Sequence, residues 1–136
     1  RRQWNLVDNK DLCYHYLGDF DREMIKVIKG EKNFNKTSVQ EIWHNDGDQV
    51  LAYMRGDLLF VFNFSPTKSF TDYGLLVPTG SYSIVLDSDN KEFGGNGLND
   101  DEMVHLTTYD PLYLNDHKEW LKLYLPARSA LVLKKN

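Results

Sequence analysis

The stretch Gly56-Asp57-Leu58-Leu59-Phe60-Val61-Phe62-Asn63-Phe64-Ser65-Pro66 is apolar on both sides of an extended chain, with Leu58, Phe60, Phe62 and Phe64 on one face and Leu59, Val61 and Asn63 on the other. A strand of this kind has to be covered twice, which predicts an interior strand with turn chemistry in the Gly-Asp before it and the Ser-Pro after it. Around it the pattern predicts further short strands. Val39–His44 and Gln49–Met54 flank the turn Asn45-Asp46-Gly47-Asp48, with Val50, Ala52 and Met54 on one face. Phe70–Val77 follows, then Ser81–Leu86 with Tyr82, Ile84 and Leu86 inward, then Met103–Thr108. Trp120–Leu125 and Ser129–Leu133, joined by Pro126-Ala127-Arg128, read as a closing hairpin. Strands at this regular spacing without helical periodicity predict an all-β, antiparallel sandwich.

The N-terminal part follows another pattern. Phe20, Met24, Val27 and Ile28 recur at helical spacing behind Asp19, a candidate N-cap, and ahead of Gly30, predicting a helix over about 20–29. Residues 1–18 carry Trp4, Leu6, Val7, Leu12, Tyr14, Tyr16 and Leu17 in no clean period, with Asp8-Asn9 as a turn, so they are expected to lie against a neighbour. The polar run 30–37 marks the boundary, dividing the chain into 1–37 and 38–136. Residues 87–102 have no periodicity and several glycines, which predicts a loop, ordered or mobile, with backbone angles closed to other residues.

Charge narrows the partners. The 136 residues carry a net charge of −4, and the negative excess lies beyond residue 37. That balance disfavours nucleic acid or an anionic membrane, both of which require a dense positive face. Cys13 is the only cysteine, so no disulfide can form within the chain, and a reducing, cytoplasmic location is expected. No apolar run is long enough to span a bilayer, and a start at Arg1-Arg2-Gln3-Trp4 suggests a piece of a longer protein.

Candidate chemistry is sparse. His15, His44, His105 and His117 fall on different elements and read as structural. Asp87-Ser88-Asp89 opens like a calcium loop, but Lys91 and Glu92 stand where a ligand and a glycine are needed, so no metal is assigned. Asp100, Asp101 and Glu102 are adjacent, an arrangement that points carboxylates apart rather than across a sugar, and no catalytic residue or cofactor motif is found. The sequons Asn35-Lys36-Thr37 and Asn63-Phe64-Ser65 have no secretory context. Aromatic residues remain: Trp43, Tyr73, Tyr113 and Trp120, near Asp and Asn side chains, are candidate platforms for a sugar ring, each with a packing role as the alternative.

Several segments, in order, resemble the C-terminal region of 1,4-alpha-glucan (glycogen or starch) branching enzymes. They are Gly56–Phe64 with Pro66, Asp72-Tyr73, Leu86-Asp87-Ser88-Asp89, Phe93-Gly94-Gly95 and Leu125-Pro126-Ala127-Arg128-Ser129-Ala130. Arg1-Arg2-Gln3-Trp4, Leu6-Val7-Asp8-Asn9 and Tyr16-Leu17-Gly18-Asp19-Phe20-Asp21 resemble the end of that family's catalytic barrel. The chain departs from the family pattern at Ser65, Gly74 and Asn96-Gly97-Leu98-Asn99. The resemblance implies a short helical remnant of a (β/α)8 barrel followed by a Greek-key β-sandwich of the alpha-amylase C-terminal type. It further implies that the catalytic Asp and Glu lie upstream, so that this piece is inactive alone and has the barrel as its partner. Alpha-glucan is a second candidate partner, and self-association of the isolated piece a third expectation.

Overall fold

The structure, a computed structural model, describes residues 3–110 and 117–136. Helices α1 (Asn5–Asp8) and α2 (Tyr14–Gly30) precede eight strands: β1 (Val39–Asn45), β2 (Val50–Arg55), β3 (Leu58–Asn63), β4 (Phe70–Leu75), β5 (Ser81–Asp87), β6 (Val104–Tyr109), β7 (Glu119–Leu125) and β8 (Ser129–Lys135). All pairings are antiparallel, in the order β1-β2-β3-β8-β5-β6-β7-β4. The sheet curls until its two edge strands meet, because Trp43 of β1 hydrogen-bonds Tyr73 of β4 at 2.9 Å. The expected all-β sandwich is what forms.

The inner core is built from alternate residues. Val50, Ala52 and Met54 of β2 and Leu59 and Val61 of β3 pack with Leu121, Leu123 and Leu125 of β7 and Leu131 and Leu133 of β8. β3 lies between β2 and β8 in the sheet, and its inner face packs on the opposite layer. Its other face carries Leu58, completely buried, with Phe60 beside it, under Phe20, Met24 and Val27 of α2. Burying such a leucine is worth about 1.5–3 kcal/mol. Cover ends before the strand does: Phe62 is half-buried, and Phe64, one residue past β3, is 61% exposed.

Three expectations need correction. First, β7 and β8 are not a hairpin: β7 pairs with β4 and β6, and β8 with β3 and β5. Their leucines meet across the sandwich instead of side by side, and inward alternation looks the same in either arrangement. Second, Leu86 does not face the inner core. A bulge between Ile84 and Leu86 shifts the register, so Leu86 joins Leu58 and Val132 beneath α2 and Asp87 is buried instead. Third, Asp19 is not an N-cap. α2 begins at Tyr14 and runs through Asp19, whose carboxylate pairs with Arg22 at 2.7 Å. Gly18, unfavourable within a helix, is needed there because a Cβ would come within 2.6 Å of Val7 Cγ1, where α1 packs on α2.

The corner where the chain changes layers is held by one side chain. Asn63 is 2% exposed, and its Nδ2 donates to the carbonyls of Lys68 (2.8 Å), Leu125 (3.1 Å) and Pro126 (3.0 Å). Its Oδ1 accepts from the Ser65 amide at 3.0 Å. The β3–β4 and β7–β8 crossings are thereby tied together, with Arg128 N to Ser65 O at 3.0 Å as a second tie. Arg128 itself has a positive φ of 56°, the sharp turn that separates β8 from β7. Asn63→Ala is expected to lower unfolding free energy by about 3 kcal/mol or more, since buried carbonyls lose their donor. Asn63→Asp should cost at least as much, because a carboxylate cannot donate; urea denaturation measures both.

Candidate functional site

The titratable groups are dispersed. His15 lies on α2 with Nδ1 3.7 Å from Asp19, and His44 lies on β1 with Nδ1 2.8 Å from Glu41, which raises its pKa. His117 is exposed, with φ 49°. His105 on β6 is half-buried opposite Tyr82; its Nε2 is enclosed without a hydrogen-bond partner among the described residues, and burial lowers its pKa. Among the described residues no group of three or more His, Cys, Asp or Glu is placed to hold a metal ion.

The acidic residues of the 87–102 loop serve the loop itself. Asp87 accepts from Asp89 N (2.8 Å) and from Asn99 Nδ2 (3.3 Å); burial, partly offset by these bonds, pushes its pKa up. Asp89 accepts from Asn96 N (3.0 Å), Asn96 Nδ2 (3.1 Å) and Leu98 N (3.3 Å), and Asp101 accepts from Asn90. Carboxylates occupied in this way order backbone and leave little for a substrate. Asp100 likewise accepts from Glu102 N at 3.0 Å.

Two of the four candidate aromatics come together. Trp43 Nε1 donates to Tyr73 Oη, which donates to Asp48 Oδ2 at 3.0 Å, so a chain of three side chains closes the two sheet edges. Burial raises the Tyr73 pKa, keeping the phenol protonated as that donor. Trp43 is still 44% exposed, whereas Tyr73 also packs against the inner core. Trp120 is elsewhere. Tyr73 pairs with inward Leu123, so Trp120, three residues away on β7, is on the opposite face, half-buried near Gly74 and with Nε1 enclosed and unpartnered among the described residues. Tyr113 lies outside the described residues. Of the three described candidates, Trp43 and Tyr73 are joined and Trp120 lies on the opposite face of the sheet.

Two apolar surfaces are more conspicuous. On the outer face, Tyr53 stacks on Phe60 (ring centroids 4.9 Å apart, 14° between planes), and Phe62 on Phe64 (5.6 Å, 5°). This row borders a groove of about 340 Å³ under α2, lined by Phe20, Met24, Phe34 and Val132 among others. The alternation of Phe60, Phe62 and Phe64 was visible in the sequence, but nothing local shows that cover stops at Phe60. The second surface is a cleft of about 610 Å³ between α1 and α2, lined mainly by Trp4, Leu6, Val7, Tyr14 and Leu17. Trp4 is 71% and Leu17 70% exposed at its rim. Both surfaces lack the convergent polar groups a catalytic pocket needs, and suit contact with another apolar surface.

Comparison with known proteins gives a family. The model described as alpha amylase, C-terminal all-beta domain, matches residues 42–136. The chain is 41% identical over 134 residues to a 1,4-alpha-glucan-branching enzyme of Saccharomyces cerevisiae, covering 98% of this chain and 19% of that protein. It is 43% identical over 136 residues to one of Yarrowia lipolytica (97% and 19%) and 42% over 141 residues to one of Dictyostelium discoideum (99% and 20%). It thus spans about a fifth of the length of these relatives.

The edge closure should be measurable. A double-mutant cycle of Trp43→Phe and Tyr73→Phe is expected to give a coupling of about 0.5–1.5 kcal/mol, in the range of one net hydrogen bond. His105 makes a pH prediction. Its folded pKa is below the ordinary 6.5, so the unfolded chain binds the proton more tightly, and stability is lost as pH falls from 6.5 through the lowered value. Urea titrations across that window should show a smaller loss for His105→Leu than for the unsubstituted chain.

Proposed function

Because the chain belongs to the family of alpha amylase C-terminal all-beta domains, we propose that it is the non-catalytic C-terminal region of a 1,4-alpha-glucan branching enzyme and stabilises that enzyme's catalytic barrel. The parent would form alpha-1,6 branch points in glycogen or starch, with its acid and nucleophile outside this chain. The observation that carries the reading is the apolar cleft of α1 and α2, at whose rim Trp4 is 71% and Leu17 70% exposed. Such a surface is stable in water only at a cost, which a covering partner removes. Residues 1–37 would then be the end of the barrel and 38–136 the sandwich. Among the described residues no helix is long and apolar enough to cross a membrane, and Cys13 is a free thiol. A cytoplasmic location is part of the same proposal, resting on the lone Cys13.

A second reading, retention on alpha-glucan, is favoured by the exposed rings of Trp43 and Phe64. Affinity electrophoresis in glycogen separates the two. A stabilising domain migrates unretarded, and retardation abolished by Trp43→Ala or Phe64→Ala would establish the second reading.

Incubated alone with amylose, the chain is expected to leave the iodine colour unchanged; sustained colour loss with branch formation would refute an inactive module. In the parent enzyme, Trp4→Ser with Leu17→Ser should lower the thermal inactivation temperature by several degrees while kcat/KM of the surviving enzyme changes less than about twofold. In the isolated chain the same pair should reduce any concentration-dependent self-association seen by sedimentation.

A further inference from the structure

We infer that the loop Asp89–Leu98 is a clip that seats the N-terminal half of α2 on the sandwich, with Asp89 as the positioning residue that keeps the clip closed. α2 has no side-chain N-cap and no fully buried residue, so it is not self-sustaining. Its C-terminal end is tied down by other means. Lys134 of β8 pairs with Glu31, and the Arg55 guanidinium lies over the Phe34 ring at 4.1 Å while donating to Thr37 O at 3.2 Å. The N-terminal half has Tyr16 and Phe20, and both meet the loop. The rings of Phe20 and Phe93 stand edge to face at 5.2 Å, and Tyr16 packs so closely on Gly94 that a Cβ there would be 3.0 Å from its ring.

The loop can present these two residues because it is tightly closed. Ser88 joins its base to β8 twice, through Ser88 N to Ala130 O (3.0 Å) and Ala130 N to Ser88 Oγ (2.8 Å). The Asp89 carboxylate then gathers the amides of Asn96 and Leu98, and its carbonyl accepts from Gly97 N at 2.7 Å. Asn90 O accepts from Phe93 N (3.0 Å) and Gly95 N (3.1 Å), closing the turn in which Gly94 takes φ 79°. Asp89 itself touches no residue of α2 in any hydrogen bond or ion pair among the described residues. Its effect on the helix must pass through the loop. This role is independent of what the parent catalyses.

The test is amide hydrogen exchange on the full 136-residue chain. In Asp89→Ala and in Phe93→Ala, the amides of residues 18–23 are expected to exchange at least about tenfold faster. Amides of β3 and β8 should stay within about twofold. Three outcomes would overturn the assignment: residues 18–23 unaffected in Asp89→Ala; acceleration in Phe93→Ala alone, which reduces the loop to one ring contact; or acceleration of helix and sheet by the same factor, which makes Asp89 a general stability residue. Should either variant fail to fold, Gly94→Ala reads the same contact from the other side. Its Cβ presses on Tyr16, and the same selective acceleration is expected.

Discussion

The hydrogen bonds of Asn63 are the constraint on which this fold depends. Hairpins can form from local sequence, but β3–β4 and β7–β8 each carry the chain from one layer to the other, and their backbone groups leave the ladder at the crossing. Those groups cannot remain unpaired inside a protein without a penalty of about 1–3 kcal/mol each. One amide side chain answers three of the carbonyls and, through Oδ1, one of the amides. The leucines of β7 and β8 meet in the same inner core on either side of this corner.

From that corner the two faces of β3 diverge. The inner face is enclosed by the curl of the sheet, which the Trp43–Tyr73–Asp48 chain closes at its edges. The outer face is covered by α2 over Leu58, Phe60, Leu86 and Val132. The bulge beside Val85 belongs to the same design. It moves Leu86 under the helix and turns Asp87 inward, where that carboxylate starts the hydrogen-bonded loop that returns to the helix through Phe93.

Among the described residues, the loop carboxylates Asp87, Asp89 and Asp100 accept from backbone amides, the histidines are on separate elements, and the surfaces under α2 and between α1 and α2 are apolar. The cleft between α1 and α2 presents an exposed apolar face, which suits contact with another apolar surface. The likeness to about a fifth of each branching enzyme agrees with a part whose contribution is made within a larger chain.

Much of this was legible beforehand. Period-two alternation placed most strands within a residue or two, and the doubly apolar run at 58–64 foretold an interior strand, although its outer face is left open at Phe64. The helix start at Tyr14 was not legible, because Asp19 reads as an N-cap and residues 1–18 have no clean period. Nor was the separation of β7 from β8, the grouping of Trp43 with Tyr73 and not Trp120, or the end of the cover at Phe60. Alternation along the chain thus settled which residues turn inward; which strand lies beside which, and what covers the outer face, was decided only in three dimensions. Inward leucines are identical whether they meet a neighbour in the same layer or one opposite, and only long-range hydrogen bonds such as those of Asn63 distinguish the two.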